Sequence, residues 1–141
     1  DAVIVAPGTW AADRVEAINR YHQGQVQLFC QVGPSQATIG PLVIPGDGPC
    51  LNCHDLTRRD LDPTWPLQVY QLSRCPSHAN PELSLWAASL IVCQLHAWAA
   101  GSTPDLTGAM TIMTSAGQVR RLRLLRHPDC RQHDRFDPGL R

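Results

Sequence analysis

The first 44 residues alternate short apolar runs with one amphipathic stretch. Residues 2–6 form a continuous apolar run that ends at a proline-glycine pair, a pattern typical of a buried parallel strand followed by a turn. After Thr9, a candidate N-cap, residues 10–22 repeat apolar side chains at helical spacing. Residues 26–32 and 37–44 are predicted strands, and the short turn between them favours a hairpin.

The middle of the chain combines a polar crossing segment with a long apolar helix. Residues 45–80 are rich in proline, glycine and charge, which predicts a crossing loop or lid with a short helical stretch at 65–72. Asn80 caps a helix that is predicted to end near Gly101. Its apolar side chains point in every direction, so we expect it to be covered on all sides, in part by a second subunit.

The last regular element is a predicted hairpin of residues 106–114 and 119–125. Its second strand alternates leucine with arginine (Leu122 and Leu124 with Arg121 and Arg123), which predicts one buried and one wet face. Together these elements predict a single α/β domain over residues 1–141. The hairpin leads directly into residues 127–133, where a second group of potential metal ligands begins.

Composition removes several function classes. The chain carries 12 basic and 12 acidic residues and no net charge, so it lacks the field that would attract nucleic acid or an anionic membrane. Every basic residue is arginine, which excludes a Schiff-base or P-loop lysine. No apolar run reaches the roughly 20 residues of a membrane span, and no signal peptide is recognisable. Paired cysteines in a chain with long strand and helix patterns favour a reducing compartment, so we predict a cytoplasmic protein; because it begins with Asp1, we also expect it to be part of a longer chain.

Two ligand pairs with identical spacing predict a structural metal site. Cys50 and Cys53 are separated by two residues, and Cys130 and His133 repeat that spacing. Such pairs let four donors converge on one tetrahedral ion, for which zinc is the usual choice. The fourth donor is open at this point, because three other histidines could replace His133: His54, His78 and His127.

Rival interpretations of the cysteines also have to be weighed. Six cysteines could form three disulfides, but long strand and helix patterns are unusual in disulfide scaffolds. A zinc deaminase would need a histidine two residues before a glutamate upstream of the first pair, and none is present. Cys50, Cys53 and His54 formally match a c-type haem attachment motif, with Met110 or Met113 as distal ligand. Outside the pairs, we predict Cys30 and Cys93 to be core thiols and Cys75 to be an exposed loop thiol.

A family resemblance extends over nearly the whole chain. The motifs that carry it are Ile39-Gly40-Pro41-Leu42-Val43-Ile44-Pro45-Gly46, Gly48-Pro49-Cys50-Leu51-Asn52-Cys53, Arg58-Arg59, Asp62-Pro63, Trp65-Pro66 and His127-Pro128-Asp129-Cys130. They resemble the ThiF family, whose fold is that of ubiquitin-activating enzymes, and in particular the ThiF-like proteins that accompany YcaO cyclodehydratases in making azoline-containing peptides.

The resemblance implies the C-terminal part of a Rossmann-like ThiF fold, with a mixed sheet, one long apolar helix and a final β-hairpin. In that family two C-x-x-C pairs bind structural zinc, so here His133 would stand in for the last cysteine. It also implies a YcaO-type cyclodehydratase and a precursor peptide as partners. A homodimer through the apolar helix is a further expectation.

The family's catalytic features are missing from this chain. Its glycine-rich nucleotide loop is absent, and the first strand continues into Pro7, Gly8 and Thr9 where active members have a magnesium-binding aspartate. We therefore expect a non-catalytic, zinc-stapled scaffold. The alternatives are part of an ATP-dependent adenylyltransferase, a haem electron-transfer protein and a free-standing zinc interaction module.

Overall fold

A computed structural model describes residues 1–134 and 136 as an α/β unit built on one mixed sheet. The five strands lie in chain order across the sheet. The first two strands pair in parallel, and every later neighbour pairs antiparallel. The elements are β1 (Ala2–Val5), α1 (Arg14–His22), β2 (Val26–Val32), β3 (Gln36–Val43), α2 (Leu51–Leu61), α3 (Trp65–Leu72), α4 (Pro81–Ala99), β4 (Ala109–Thr114), β5 (Val119–Arg123) and a 3₁₀ turn, Arg131–His133.

The sheet separates two hydrophobic cores. On one face α4 packs against β2 and β3, and the buried residues include Leu28, Ile39 and Ile91. On the other face α1 and the start of α2 cover Phe29 and Val43. Alternate residues of a strand point to opposite faces, so β2 supplies side chains to both cores.

A register shift in β3 keeps both faces apolar. Cys30 pairs with Ile39, whereas Leu28 pairs with Leu42, so β3 contains one extra residue between these pairs. The extra residue lies at Gly40, whose φ is +103°. Such a bulge lets Ile39 and Leu42 both join the core beside α4.

The first helix starts later than its sequence pattern predicts. It begins at Arg14, and the Asp13 carboxylate accepts from the backbone N–H of Glu16 at 2.9 Å. Thr9 was the predicted cap, but it forms an isolated bridge with Pro76. The N–H of Trp10 likewise donates to the Cys75 carbonyl. The expected first turn of the helix is therefore extended chain bound to a distant loop.

The predicted crossing loop contains a helix that the sequence pattern did not predict. Residues Leu51–Leu61 form α2, and the predicted short helix is confirmed as α3, Trp65–Leu72. Asp55 of α2 connects three helices, because it accepts from Arg14 at 2.6 Å and from the Trp65 indole at 3.0 Å. Burial alone would raise the pKa of Asp55, but hydrogen bonding and the Arg14 charge hold it below the usual range.

The long helix is covered on one side only within the described part of the chain. Leu83 and Ile91 are buried against the sheet, whereas Leu85 is 73% exposed and Val92 51% exposed. Cys93 lies on the outer side too, so its predicted place in the core is wrong. None of the helices in residues 1–134 has both the length and the apolar character needed to cross a bilayer.

Other expectations about burial have mixed outcomes. Cys30 is buried and Cys75 is exposed, as predicted. The final hairpin is confirmed, but Leu122 is 44% exposed because β5 is an edge strand with no helix over it among the described residues. Leu124, just beyond β5, is buried.

Replacing Gly40 should destabilise the fold strongly. A Cβ at this position would collide with the Ala109 carbonyl oxygen, and its positive φ is unfavourable for any L side chain. We expect Gly40→Ala to lower the free energy of unfolding by at least about 3 kcal/mol in urea titrations.

Gly117→Ala is the matched control. Gly117 also has a positive φ, but a Cβ added there would meet nothing within 4 Å, so only the conformational cost of about 1–2 kcal/mol applies. If both variants lost the same free energy of unfolding, close packing of Gly40 against the Ala109 backbone would not be the reason for a glycine in the bulge.

Candidate metal centre

Four potential ligands converge on one buried point beneath the sheet. The Cys50 sulfur lies 3.8 Å from the Cys53 sulfur and 3.6 Å from the Cys130 sulfur. His133 Nε2 lies 3.0 Å from the Cys53 sulfur. The four donor atoms lie within 4.8 Å of one another, and all four residues are buried. The cluster could hold a metal ion, and its members are those that the paired spacing predicts.

Two short helical segments present these donors. Cys50 is the N-cap of α2, and Cys53 lies in its first turn, where the positive end of the helix dipole favours thiolate over thiol. Cys130 is the N-cap of the 3₁₀ turn that carries His133. A two-residue spacing therefore brings both members of each pair to the same end of a helical turn.

Arg126 connects the segments that lead into the two pairs. Its guanidinium donates to the Gly46 carbonyl at 2.7 Å and to the Gly48 carbonyl at 3.1 Å. Gly46 and Gly48 both have positive φ, so the chain turns tightly just before Cys50. The end of the hairpin and the start of α2 are thus held together outside the cluster itself.

Polar side chains surround the cluster and orient its donors. His133 Nδ1 lies 2.9 Å from the Tyr21 hydroxyl, which also accepts from the backbone N–H of Gly46. With the proton on Nδ1, His133 donates to Tyr21 and leaves Nε2 free for a metal. The amide of Asn52 donates to the Cys130 sulfur at 3.1 Å. Burial raises the pKa of Tyr21, which keeps its hydroxyl protonated.

The thiols cannot all ionise without a cation. Hydrogen bonds from Cys130 and Cys50 lower the pKa of Cys53, whereas hydrogen bonds to Cys130 and Cys53 raise the pKa of Cys50. The first thiolate to form therefore opposes the second, as in any crowded set of like charges. Burial lowers the pKa of His133, which favours the neutral imidazole that metals bind.

The other candidate histidines lie outside the cluster. His127 Nε2 pairs with Asp60 at 2.8 Å, and its Nδ1 accepts from the Asp129 backbone N–H. His54 packs edge-on against the ring of Trp65, and His78 is exposed. All six cysteines are free thiols, so the disulfide interpretation is wrong. The haem alternative gains no support, because Cys50 and Cys53 are buried against Cys130 and His133.

An open groove, which we call the sheet groove, was not predicted from sequence. Its cavity is about 430 Å³, and its floor is the part of the β3–β5 face that no helix covers among the described residues. Thr38, Met110 and Ile112 belong to this floor, and Trp10 and Trp65 to its walls. Arg14, Arg58, Arg120 and His54 add positive or polar groups. The alternation of β4 puts Met110 and Ile112 on one apolar face, which predicts burial, whereas no helix in the described residues covers that face.

Comparison with known proteins identifies the fold. No protein-family model and no curated protein matches the chain. Among solved structures, E. coli MccB is 18% identical with a TM-score of 0.67, over 92% of this chain and 38% of that one. The fold is ThiF-like. MccB with the peptide MccA gives a TM-score of 0.70 at 18% identity, over 94% of this chain and 39% of that one. The heterocyclase TruD gives 0.67 at 17% identity, over 92% of this chain and 21% of that one.

These likenesses confirm the fold class that the resemblance implied. The chain spans about two fifths of the length of the MccB chains and about one fifth of TruD. At this level of identity the likeness extends to the fold alone.

Removing the Tyr21 hydroxyl should weaken metal binding without unfolding the protein. In Tyr21→Phe the edge-on contacts of the ring with His133 and Phe136 remain, but His133 Nδ1 loses its partner. Loss of such an outer hydrogen bond typically lowers metal affinity 10- to 100-fold. Competition with a chromophoric zinc chelator measures the change.

The control is Tyr70→Phe, because Tyr70 lies exposed on α3 and away from the cluster. It should leave the affinity for zinc unchanged. If Tyr21→Phe also bound zinc as tightly as the unmodified chain, the hydroxyl would have no part in orienting His133.

Proposed function

We propose that this chain is a zinc-stabilised, non-catalytic scaffold with a ThiF-like fold that holds a peptide for modification by a YcaO-type cyclodehydratase. The observation that carries the proposal is the closed, buried cluster of three cysteines and one histidine beside an uncovered sheet face. In this proposal residues 1–141 act as one domain, and Cys50, Cys53, Cys130 and His133 are the zinc ligands.

The donor chemistry supports zinc as the ion. Cysteine and histidine donors in a tetrahedral set are typical of structural zinc. With Zn–S bonds of about 2.3 Å, sulfurs at the corners of a tetrahedron are about 3.8 Å apart, close to the observed 3.6 and 3.8 Å. The Cys53–His133 separation of 3.0 Å is shorter than the corresponding edge of about 3.6 Å, so metal binding would move these two donors slightly apart.

A structural rather than catalytic role follows from the coordination. Four protein donors fill a tetrahedral shell and leave no position for a reactive water. The ion would instead contribute its binding free energy to folding. The end of β1 supports the same role, since Pro7, Gly8 and Thr9 offer no carboxylate for magnesium.

The peptide part of the proposal comes from the neighbours and from the sheet groove. MccB is described as a microcin C7 biosynthetic enzyme and has been solved with MccA, and TruD is described as a heterocyclase. The sheet groove offers an apolar floor with arginines and tryptophans at its edge. Such a surface suits an extended peptide, because apolar side chains bury on the floor and backbone carbonyls find arginine donors.

Two further parts of the proposal concern assembly and location. The outer side of α4 exposes Leu85, Val92 and Cys93, an apolar stripe that supports a homodimer through this helix. Six free cysteines support a reducing compartment, for which we propose the cytoplasm.

The alternative is that the chain forms part of an ATP-dependent adenylyltransferase. MccB has been solved with ATP and with AMPCPP, and that observation favours this second candidate. We expect no ATP binding by this chain in isothermal titration with magnesium. Saturable ATP binding accompanied by pyrophosphate exchange would contradict the scaffold proposal and support the adenylyltransferase.

Peptide binding should depend on the sheet groove. We expect a displayed library of unmodified peptides rich in Cys, Ser and Thr to be enriched by the zinc-loaded protein without ATP. Ile112→Arg puts a charge on the apolar floor and should weaken the enriched peptides about tenfold or more. The control is Val119→Arg, since Val119 is exposed on β5 outside the groove. No enrichment, or equal binding by both variants, would contradict the peptide-holding role.

A further inference from the structure

A second cavity lies between α1, α2 and α3, beside the candidate metal centre. Its volume is about 290 Å³, and we call it the inner cavity. Its walls are mainly apolar: Ile18, Phe29, Val43, Leu56 and Val69. Apolar cavities of about half this volume bind small hydrophobic molecules such as benzene. The proposed scaffold role makes no use of this space.

Two buried side-chain amides lie in the wall of the inner cavity. Gln27 lines the cavity and is 1% exposed. Its Nε2 donates to the Ala17 carbonyl at 3.1 Å, while Oε1 is buried without a partner among residues 1–134 and 136. Gln132 also lines the cavity, and its side-chain oxygen is likewise buried without a hydrogen-bond partner among the same described residues. Both oxygens have almost no accessible surface, so the surface that an occupant of the inner cavity would meet is mainly apolar.

The inner cavity adjoins the sheet groove. Four residues line both spaces: Arg14, Phe29, Leu51 and Trp65. The Arg14–Asp55 ion pair lies at this boundary, and the Trp65 indole donates to the same carboxylate. A chain lying in the sheet groove would therefore lie next to the inner cavity.

We propose that the inner cavity is a specificity pocket for one large apolar residue of the peptide, which it binds by burying the side chain among its apolar walls. The inference rests on the proposed peptide-holding function and adds the residue class that the peptide must contain. Leucine, isoleucine and phenylalanine suit the volume and the lining, whereas glycine would leave the space unfilled.

The pocket can be tested with small probes that need no knowledge of the peptide. N-acetyl-leucinamide carries one apolar side chain and amide N–H donors, and N-acetyl-glycinamide is the matched probe without the side chain. In ¹⁵N-resolved NMR titrations of the zinc-loaded protein, we expect the leucine probe to shift the amides of Ala17, Gln27 and Val69 saturably. The glycine probe should bind at least tenfold more weakly, because it buries almost no apolar surface.

A pair of variants distinguishes binding in the inner cavity from non-specific binding to the protein surface. Ile18→Trp fills the inner cavity and should abolish binding of the leucine probe, whereas Val15→Trp places the same side chain at an exposed site of α1 and should not. Equal binding of both probes, or unchanged binding by Ile18→Trp, would overturn the pocket.

The outcome is distinguishable from that of the scaffold proposal. If library peptides bind Ile18→Trp and the unmodified chain equally well, the pocket is wrong and peptide holding stands. If the leucine probe binds in the inner cavity but no library peptide is enriched, the peptide-holding role fails instead. Enriched peptides that carry no apolar residue at a constant position would also overturn the pocket.

Discussion

The convergence of three sulfurs and one imidazole holds together the parts of this fold that carry its candidate functions. It joins the start of α2 to a segment 80 positions later in the chain. The same segments are also held by burial in a hydrophobic core and by the Arg126 hydrogen bonds to Gly46 and Gly48. Because like charges at this spacing repel, a divalent cation is the simple way to stabilise all the thiolates together. The cluster is also part of a hydrophobic core, with Tyr21 and Phe29 packed around it.

The position of α2 in turn determines the spaces that could bind a partner. Cys50 and Cys53 hold its N-terminal end, and Asp55 connects it to α1 and α3. Together these contacts form the wall between the inner cavity and the sheet groove. The candidate metal centre and the two adjoining spaces are therefore connected through one helix of 11 residues.

Sequence spacing was a good guide to the candidate site because ligand geometry is local. Two donors three positions apart must lie at one end of a helical turn, and that constraint predicts both halves of the cluster. The choice of His133 over His127 was less certain from sequence. It depends on Asp60, which pairs with His127 from a distant part of the chain.

The errors of prediction lie where tertiary contacts outweigh local pattern. Helix α2 follows its N-cap, Cys50, and a turn rich in proline and glycine. Its outer face is polar, so its hydrophobic periodicity is weak. The expected first turn of α1 is instead pulled into a bridge with the loop near Pro76. The apolar character of α4 predicted burial all round, but half of that helix faces outward. The β3 bulge at Gly40 could not be derived from alternation, because it interrupts alternation.

Elemental analysis combined with native mass spectrometry of the purified chain is the decisive test of the metal centre. We predict one zinc per chain and, in Cys50→Ser, loss of both the metal and the cooperative unfolding transition. Cys93→Ser is the control, because Cys93 is exposed on α4 and outside the cluster. A metal-free chain that unfolds cooperatively, or iron with a Soret band, would contradict a structural zinc site.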